Sequence, residues 1–166
     1  MKKEKAGGIL EFVCCRLDFC CQQRNFCIQE GKMTQDEKLR GNDKIEEAVE
    51  ALQKEPTQER LAHTLTVIRR RMREEGEFIV AVEPISDGSQ LKLQTISTED
   101  GCSWWPVFTS FEEEMKGSNQ VMSTFMGSIR QLFEMALQTE EIEGIILNPW
   151  NRTIMLDKTL IRIVLG

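Results

Sequence analysis

Trp104-Trp105-Pro106-Val107-Phe108-Thr109-Ser110 is an apolar segment that ends in two hydroxyl residues. Its alternating aromatic and branched residues predict a strand, placed centrally in the sheet. Glu112-Glu113-Glu114 follows, and Thr109 or Ser110 can cap a helix there because Glu112 and Glu113 lie three residues later. Further on, Gly144-Ile145-Ile146-Leu147 predicts a second buried strand, which runs into the turn Asn148-Pro149-Trp150-Asn151.

Two amphipathic helices are predicted ahead of this core. Asp43 can cap the first, with Glu46 at the capping-box position, and Pro56 ends it. Thr57 restarts the chain as a second helix, which Gly76 terminates. Apolar residues recur at helical spacing in both segments: Ile45, Ala48, Val49 and Leu52, then Leu61, Leu65, Ile68 and Met72.

The rest of the chain mixes strands and helices without strict alternation. We predict further strands at residues 78–82, 91–95, 121–123 and 153–156, with turns at Asp87-Gly88 and Asp100-Gly101. Ile129, Leu132, Phe133, Ala136 and Leu137 form the clearest amphipathic stripe, and Asp157 can cap a last helix. The predicted fold class is α+β: a mixed sheet of about five to six strands with helices packed against it, preceded by two N-terminal helices.

The order of these segments resembles the N-terminal domain of the SseB family (enhanced serine sensitivity protein B). The resemblance rests on Pro106-Val107-Phe108-Thr109-Ser110, Phe125, Gly144 and Asn148-Pro149, and on the Asp157-started helix. It implies an SseB-like domain over residues 43–166. The adjacent Trp104 and Trp105 depart from the family pattern, in which smaller or phenolic residues are expected. No activity is firmly attached to the family, although its name suggests a link to serine metabolism.

Composition narrows the possible partners. The formal net charge is −6 and the isoelectric point about 5.0, which argues against nucleic acid or an anionic membrane as the main partner. No apolar run approaches the ~20 residues of a membrane span, and charged residues interrupt the only signal-like stretch. We therefore expect a cytoplasmic, bacterial protein.

The first residues differ from the remainder. Five of the six cysteines fall there, at Cys14, Cys15, Cys20, Cys21 and Cys27, without the spacing of a zinc site. Residues 29–33 can be back-translated into a bacterial ribosome-binding site followed by a start codon. We interpret residues 1–32 as a non-native or disordered leader and residues 33–42 as a flexible lead-in; native translation would then start at Met33.

No set of residues in the sequence specifies a catalytic site. His63 lies between apolar helical positions, and Cys102 follows two acidic residues that would raise its thiol pKa. The basic run Arg69–Arg73 suits a helix C-terminus, and the carboxylates at 112–114 suit a helix start. We predict no catalytic residue, no metal ligand and no cofactor, and lean against an enzyme.

The aromatic residues supply the remaining candidate site. Trp104 and Trp105 are adjacent on a strand, so they point to opposite faces. Trp150 lies in a turn beside Arg152, a pairing enriched in binding hot spots, or else it folds back over its own hairpin. The predicted partner-binding residues are Trp104, Trp105, Asn148, Pro149, Trp150 and Arg152.

We therefore expect a non-catalytic protein-interaction module whose protein partner is unidentified. A second copy of the same chain, bound through the amphipathic first helices, is one candidate for that partner. The alternative is a small-ligand-binding or enzymatic domain linked to amino-acid (serine) metabolism. This alternative predicts a deep pocket near the carboxyl ends of the strands, with convergent polar groups.

Overall fold

The computed structural model describes residues 37–83, 92–117 and 123–166. The compact unit Lys38–Gly166 is described below. The predictions for the leader, its cysteines, the Asp87-Gly88 turn and residues 121–122 lie outside the described residues.

Five helices and seven strands lie wholly within the described residues, and residues 37–39 are also helical. The helices are α1 (Asp43–Lys54), α2 (Gln58–Arg73), α3 (Phe111–Met115), α4 (Ile129–Gln138) and α5 (Lys158–Leu165). The strands are β1 (Glu77–Glu83), β2 (Lys92–Leu93), β3 (Ile96–Ser97), β4 (Ser103–Phe108), β5 (Ser123–Ser128), β6 (Gly144–Leu147) and β7 (Ile154–Asp157).

Side-chain caps start three of the helices. Thr57 accepts a hydrogen bond from the Arg60 amide and Asp157 accepts one from the Leu160 amide, as the sequence predicts. Ser110, rather than Thr109, caps α3. The capping box predicted for Asp43 is wrong: Asn42 occupies the cap position of α1 and makes no side-chain cap hydrogen bond.

The end of α2 is a left-handed turn. The Gly76 amide donates to the Arg71 carbonyl and the Glu75 amide to that of Met72, which is the Schellman pattern. Glu75 carries the left-handed conformation, with φ of 57°. Gly76 is required for space instead, because a Cβ there would lie 2.9 Å from the Arg71 carbonyl oxygen.

The sheet is mixed. Strand β5 pairs antiparallel with β1 along residues 77–82, so β4 and β2 share the opposite edge of β1. Strand β3 pairs with the beginning of β4. Residues 92–97 therefore lie between the C-terminal end of β1 and the N-terminal end of β4. On the far side of β4, β6 pairs parallel and β7 then pairs antiparallel with β6.

One face of the sheet carries the main core. Phe78, Val80, Trp105 and Val107 pack there with apolar residues of α1, α2, α4 and α5. On the opposite face, Ile79, Ala81 and Phe108 form a smaller buried cluster with Leu39 and Met126 packed against it. The central strands β1, β4 and β6 are therefore apolar on both faces, which explains their nearly continuous hydrophobic sequences.

These elements confirm the α+β class, the mixed sheet and the two leading helices. The sheet has seven strands rather than five to six, because only Lys92–Leu93 of the segment predicted at 91–95 forms a strand and a further short strand, Ile96–Ser97, follows it on a different neighbour. The strand predicted at 121–123 instead runs from Ser123 to Ser128. Within the described residues, no helix is long and apolar enough to cross a membrane.

A substitution at Gly144 tests the close approach of strands β6 and β7. Gly144→Ala would put a Cβ 2.1 Å from the Leu156 carbonyl oxygen, so β6 and β7 must separate. We expect a loss of about 3 kcal/mol in the free energy of unfolding, measured by urea denaturation. Gly101→Ala is the control, since no atom lies within 4 Å and only its φ of 83° opposes alanine, at about 1–2 kcal/mol. Equal losses in the two variants would contradict the close approach.

Candidate functional site

The parallel strands β4 and β6 end side by side, and a polar residue follows each of them. Thr109 comes after β4 and Asn148 after β6, and both are buried. The Asn148 side-chain oxygen accepts from the Thr109 amide at 3.0 Å, and its Nδ2 donates to the Thr109 hydroxyl oxygen at 2.9 Å. The two strand ends are thereby locked together by side chains after the backbone ladder stops.

Asn42 connects this pair to the chain that leads into α1. Its Nδ2 lies 2.9 Å from both the Thr109 and Glu77 carbonyl oxygens. Its Oδ1 accepts from the Arg71 Nε at 3.1 Å, and the Arg71 Nη2 donates to the Lys38 carbonyl at 2.6 Å. Lys38 and Asn42, in the last part of the predicted lead-in at 33–42, thus contribute backbone and side-chain groups to this network.

Arg152 stands at the centre of an ion cluster on the other side of Thr109. Its Nη1 lies 2.8 Å from Glu46 Oε2 and 4.0 Å from Glu113 Oε1, and its Nε lies 3.2 Å from Glu50 Oε2. Glu46 also accepts from the Thr109 hydroxyl. The pKa of Glu50 is lowered first by the hydrogen bond and charge of Lys54 and then by the charge of Arg152.

Glu113 is the most enclosed carboxylate of this cluster, with 2% of its surface exposed. Lys116 Nζ lies 2.6 Å from its Oε1, and Asn151 Nδ2 donates to both carboxylate oxygens at 3.1 and 3.3 Å. The acidic segment at 112–114 is therefore more than a solvated helix start. Its middle residue fastens α3 to the turn after β6.

Trp150 lies in the turn between Asn148 and Arg152 and is 47% exposed. A Cβ added to Gly117 would lie 1.7–2.1 Å from three atoms of its pyrrole ring. Such similar short distances place Gly117, the second residue after α3, against the face of the indole. Trp150 therefore contacts the segment that follows α3, and nearly half of its surface is exposed.

The other predicted partner-binding residues occupy different surroundings. Trp105 belongs to the main core, and Trp104 is buried on the opposite sheet face, where its Nε1 finds no hydrogen-bond partner among the described residues. Asn148 is buried, Pro149 is half-buried, and Arg152 is held by carboxylates. Only Trp150 among the six is freely exposed, so the structure brings Asn148, Pro149, Trp150 and Arg152 together without either strand tryptophan.

His63 and Cys102 are not among the residues of this cluster. His63 is exposed on α2, and Arg71 of the basic run is buried by the contacts described above. Burial and then the charge of Asp100 raise the pKa of the Cys102 thiol. Within the described ranges, no three histidine, cysteine, aspartate or glutamate side chains are placed to hold a metal ion.

Two cavities are formed by helices rather than by strand ends. A groove of about 330 Å³ lies between α2 and α5, and an open depression of about 800 Å³ lies at the start of α2. Neither is lined by a residue of β4 or β6. The polar groups at the carboxyl ends of β4 and β6 converge, as a small-ligand-binding or enzymatic domain would require. These groups are hydrogen-bonded to one another, however.

The sequence model of the SseB protein N-terminal domain matches residues 45–162. The chain belongs to the SseB N-terminal domain family. This match covers both leading helices, the whole described sheet and the cluster around Arg152. No significant match was found among curated proteins or among solved structures.

Sequence reasoning missed several residues of this SseB domain's polar network. Asn42, Glu46 and Glu113 were interpreted as lead-in, capping or helix-start residues. Their position was partly readable, since Glu46 and Glu50 lie one helical turn apart and so share a face of α1. Their common partner Arg152 lies roughly a hundred positions later in the chain, and no local spacing reveals such a contact.

The ion cluster predicts unequal effects of two arginine substitutions. Arg152→Met would leave Glu46 and the buried Glu113 short of a positive partner, and we expect a loss of about 2 kcal/mol after allowing for partial solvent screening. Arg130→Met is the control because its pair with Glu134 is exposed and 3.8 Å long, so its loss stays below about 0.5 kcal/mol. Urea denaturation measures both.

Adding Glu46→Gln to Arg152→Met removes one of the unpaired carboxylates. The double variant is expected to regain part of the lost stability. Strictly additive losses would contradict the pairing.

The Cys102 thiol is expected to react slowly at neutral pH, because its raised pKa keeps the thiolate fraction small. Asp100→Asn removes a negative charge, lowers the thiol pKa and speeds alkylation several-fold. Glu99→Gln is the control at the neighbouring position. Mass spectrometry of the Cys102 peptide after iodoacetamide treatment measures the rate separately from the other cysteines, and equal acceleration by Glu99→Gln would refute the assignment.

Proposed function

We propose that this SseB-family domain is a non-catalytic protein-interaction module whose contact surface is centred on Trp150. The observation that carries the proposal is a large aromatic side chain, half-exposed, on a turn whose backbone and neighbours are tightly held. Tryptophan is enriched among interface hot spots.

The rigidity of the turn supports a binding role. Asn148 and Arg152 both have φ of 48°, and each is fixed by its side-chain bonds to Thr109 or to the carboxylates. The Thr153 hydroxyl also donates to the Asn148 carbonyl at 2.8 Å. An aromatic anchor that is already ordered loses less conformational entropy on binding than one on a mobile loop.

Helix α3 adds apolar surface of its own. Phe111 and Met115 lie one turn apart and both are exposed. Exposed apolar side chains on a short helix next to an aromatic turn are typical of an interaction surface. The proposal therefore includes α3 beside the turn at 148–152, and it leaves out the buried Trp104 and Trp105.

The alternative, a small-ligand-binding or enzymatic domain linked to serine metabolism, has weaker support. It needs free polar groups at the carboxyl ends of β4 and β6. Thr109, Asn148 and Glu46 stand there, yet each is engaged by another side chain. A ligand would have to displace these bonds before it could form its own.

The direct test identifies the partner by contact. Benzoylphenylalanine is introduced at position 150 and, as a control, at Met135, an exposed residue of α4. Irradiation in the cell is expected to cross-link one defined protein from position 150 and not from 135. Cross-links from position 135 alone would contradict the proposed surface.

The affinity of the identified partner then tests the side chain itself. Trp150→Ala is expected to weaken binding about 30-fold, the effect of losing a hot spot. Gly117→Ala keeps Trp150 but pushes its indole off the helix end, so it also weakens binding. Met135→Ala, the matched exposed control, leaves the affinity unchanged. Wild-type affinity of Trp150→Ala, measured by titration calorimetry, would remove Trp150 from the interface.

A further inference from the structure

The groove between α2 and α5 is a second surface, separate from the Trp150 turn. The groove has a volume of about 330 Å³, and its two walls are formed by α2 and α5. Its lining residues share helical spacing: Gln58, Leu61, Ala62, Leu65, Thr66 and Arg69 from α2, with Leu160 and Ile163 from α5.

Arg69 fixes the width of the groove at one end. Its Nε donates to the Val164 carbonyl at 3.0 Å, and its Nη2 donates to the Ile163 carbonyl. The last carbonyls of α5 are thereby satisfied by a side chain of α2. Ile163 itself is 48% exposed and stands on the rim with its apolar surface in water.

The charges beside the groove change sign along α2. Glu59 is exposed near its beginning, and Arg70 and Arg73 are exposed near its end. Glu59 and Arg73 are fourteen residues apart, close to four helical turns, so they lie on nearly the same side of the helix. Thr66 is exposed midway between them.

We propose that this groove is a homodimer surface, in which two copies pack their α2 helices antiparallel about a twofold axis near Thr66. Glu59 of each copy then faces Arg73 of the partner subunit. Ile163 of each copy fills part of the groove of the other. The occupant of the groove is a second copy of this chain.

The charge pattern selects this arrangement. Next to these two residues, Arg60 pairs with Glu55 and Glu74 pairs with Arg71. Glu59 and Arg73 therefore make this side of α2 complementary to itself only when the two copies run in opposite directions, since a parallel pair would bring like charges together. A twofold contact is also closed, so it ends at a dimer and does not propagate into fibres. Nothing in this inference depends on the surface around Trp150.

Light scattering across a dilution series gives the first test, with a dimer mass expected. Glu59→Arg and Arg73→Glu each place like charges at both ends of the interface, and each is expected to weaken dimerisation at least about tenfold. Both residues are exposed, so folding is retained and circular dichroism confirms it.

Mixing the two variants is the decisive measurement. A heterodimer of Glu59→Arg with Arg73→Glu has opposite charges at both ends, so the mixture is expected to dimerise although neither variant does so alone. A mixture that stays monomeric, or single variants that dimerise as well as the wild type, would overturn the antiparallel arrangement. A monomer mass for the wild type throughout would overturn the dimer itself.

The apolar contact has its own matched control. Ile163→Asp is expected to abolish the dimer, whereas Met135→Asp changes an equally exposed residue on α4, outside the groove, and leaves it intact. Loss of the dimer in both variants would show a general effect of added charge and would overturn the groove as the interface.

Discussion

The side-chain amide of Asn148 holds the domain together at the point where two parallel strands end. Strands β4 and β6 are distant in sequence, and their ladder stops at Val107 and Leu147. Beyond that point Asn148 bonds to both the amide and the hydroxyl of Thr109. Asparagine suits this position because its amide both donates and accepts, and because it tolerates the left-handed φ that the turn imposes.

Hydrogen bonds of Thr109 connect Asn148 to other parts of the domain. Its carbonyl accepts from Asn42, which Arg71 orients, and its hydroxyl donates to Glu46, which binds Arg152. Thr109, the residue after β4, therefore connects both leading helices to the turn after β6. In a buried network each member is stabilising only while its partners are present, since an orphaned polar group costs about 1–3 kcal/mol.

The fold was largely readable from sequence because its strongest signals are local. Periodicity predicted α1, α2 and α4, and capping residues predicted α3 and α5. The apolar strands β1, β4 and β6 stood out because they are buried on both faces. Strand β5 was harder, since its exposed and half-buried residues alternate weakly. Residues 91–95 alternate as one strand in sequence, but the structure has a strand only at Lys92–Leu93, on β1, and a separate one at Ile96–Ser97, on β4.

The site was readable only in outline, for a physical reason. The sequence predicts the Asn148–Trp150 turn because a proline is followed by a tryptophan that has no evident core position. Glu46 and Glu113, which contact this segment, are already explained in the sequence as residues that favour the start of a helix. Trp104 shows the reverse case. Alternation on a strand gives the side each indole points to, but it gives no information on whether that side is covered.

The two proposed surfaces have a joint physical consequence. A twofold dimer through α2 and α5 carries two Trp150 turns in a fixed relative position. A partner that presents two matching sites would then bind the second turn intramolecularly, at an effective concentration far above its own. The apparent affinity for such a partner would fall steeply in a monomeric variant although no residue of the Trp150 surface had changed. Binding of a partner with one site would be unaffected, so the valence of the partner decides whether dimerisation and recognition are coupled.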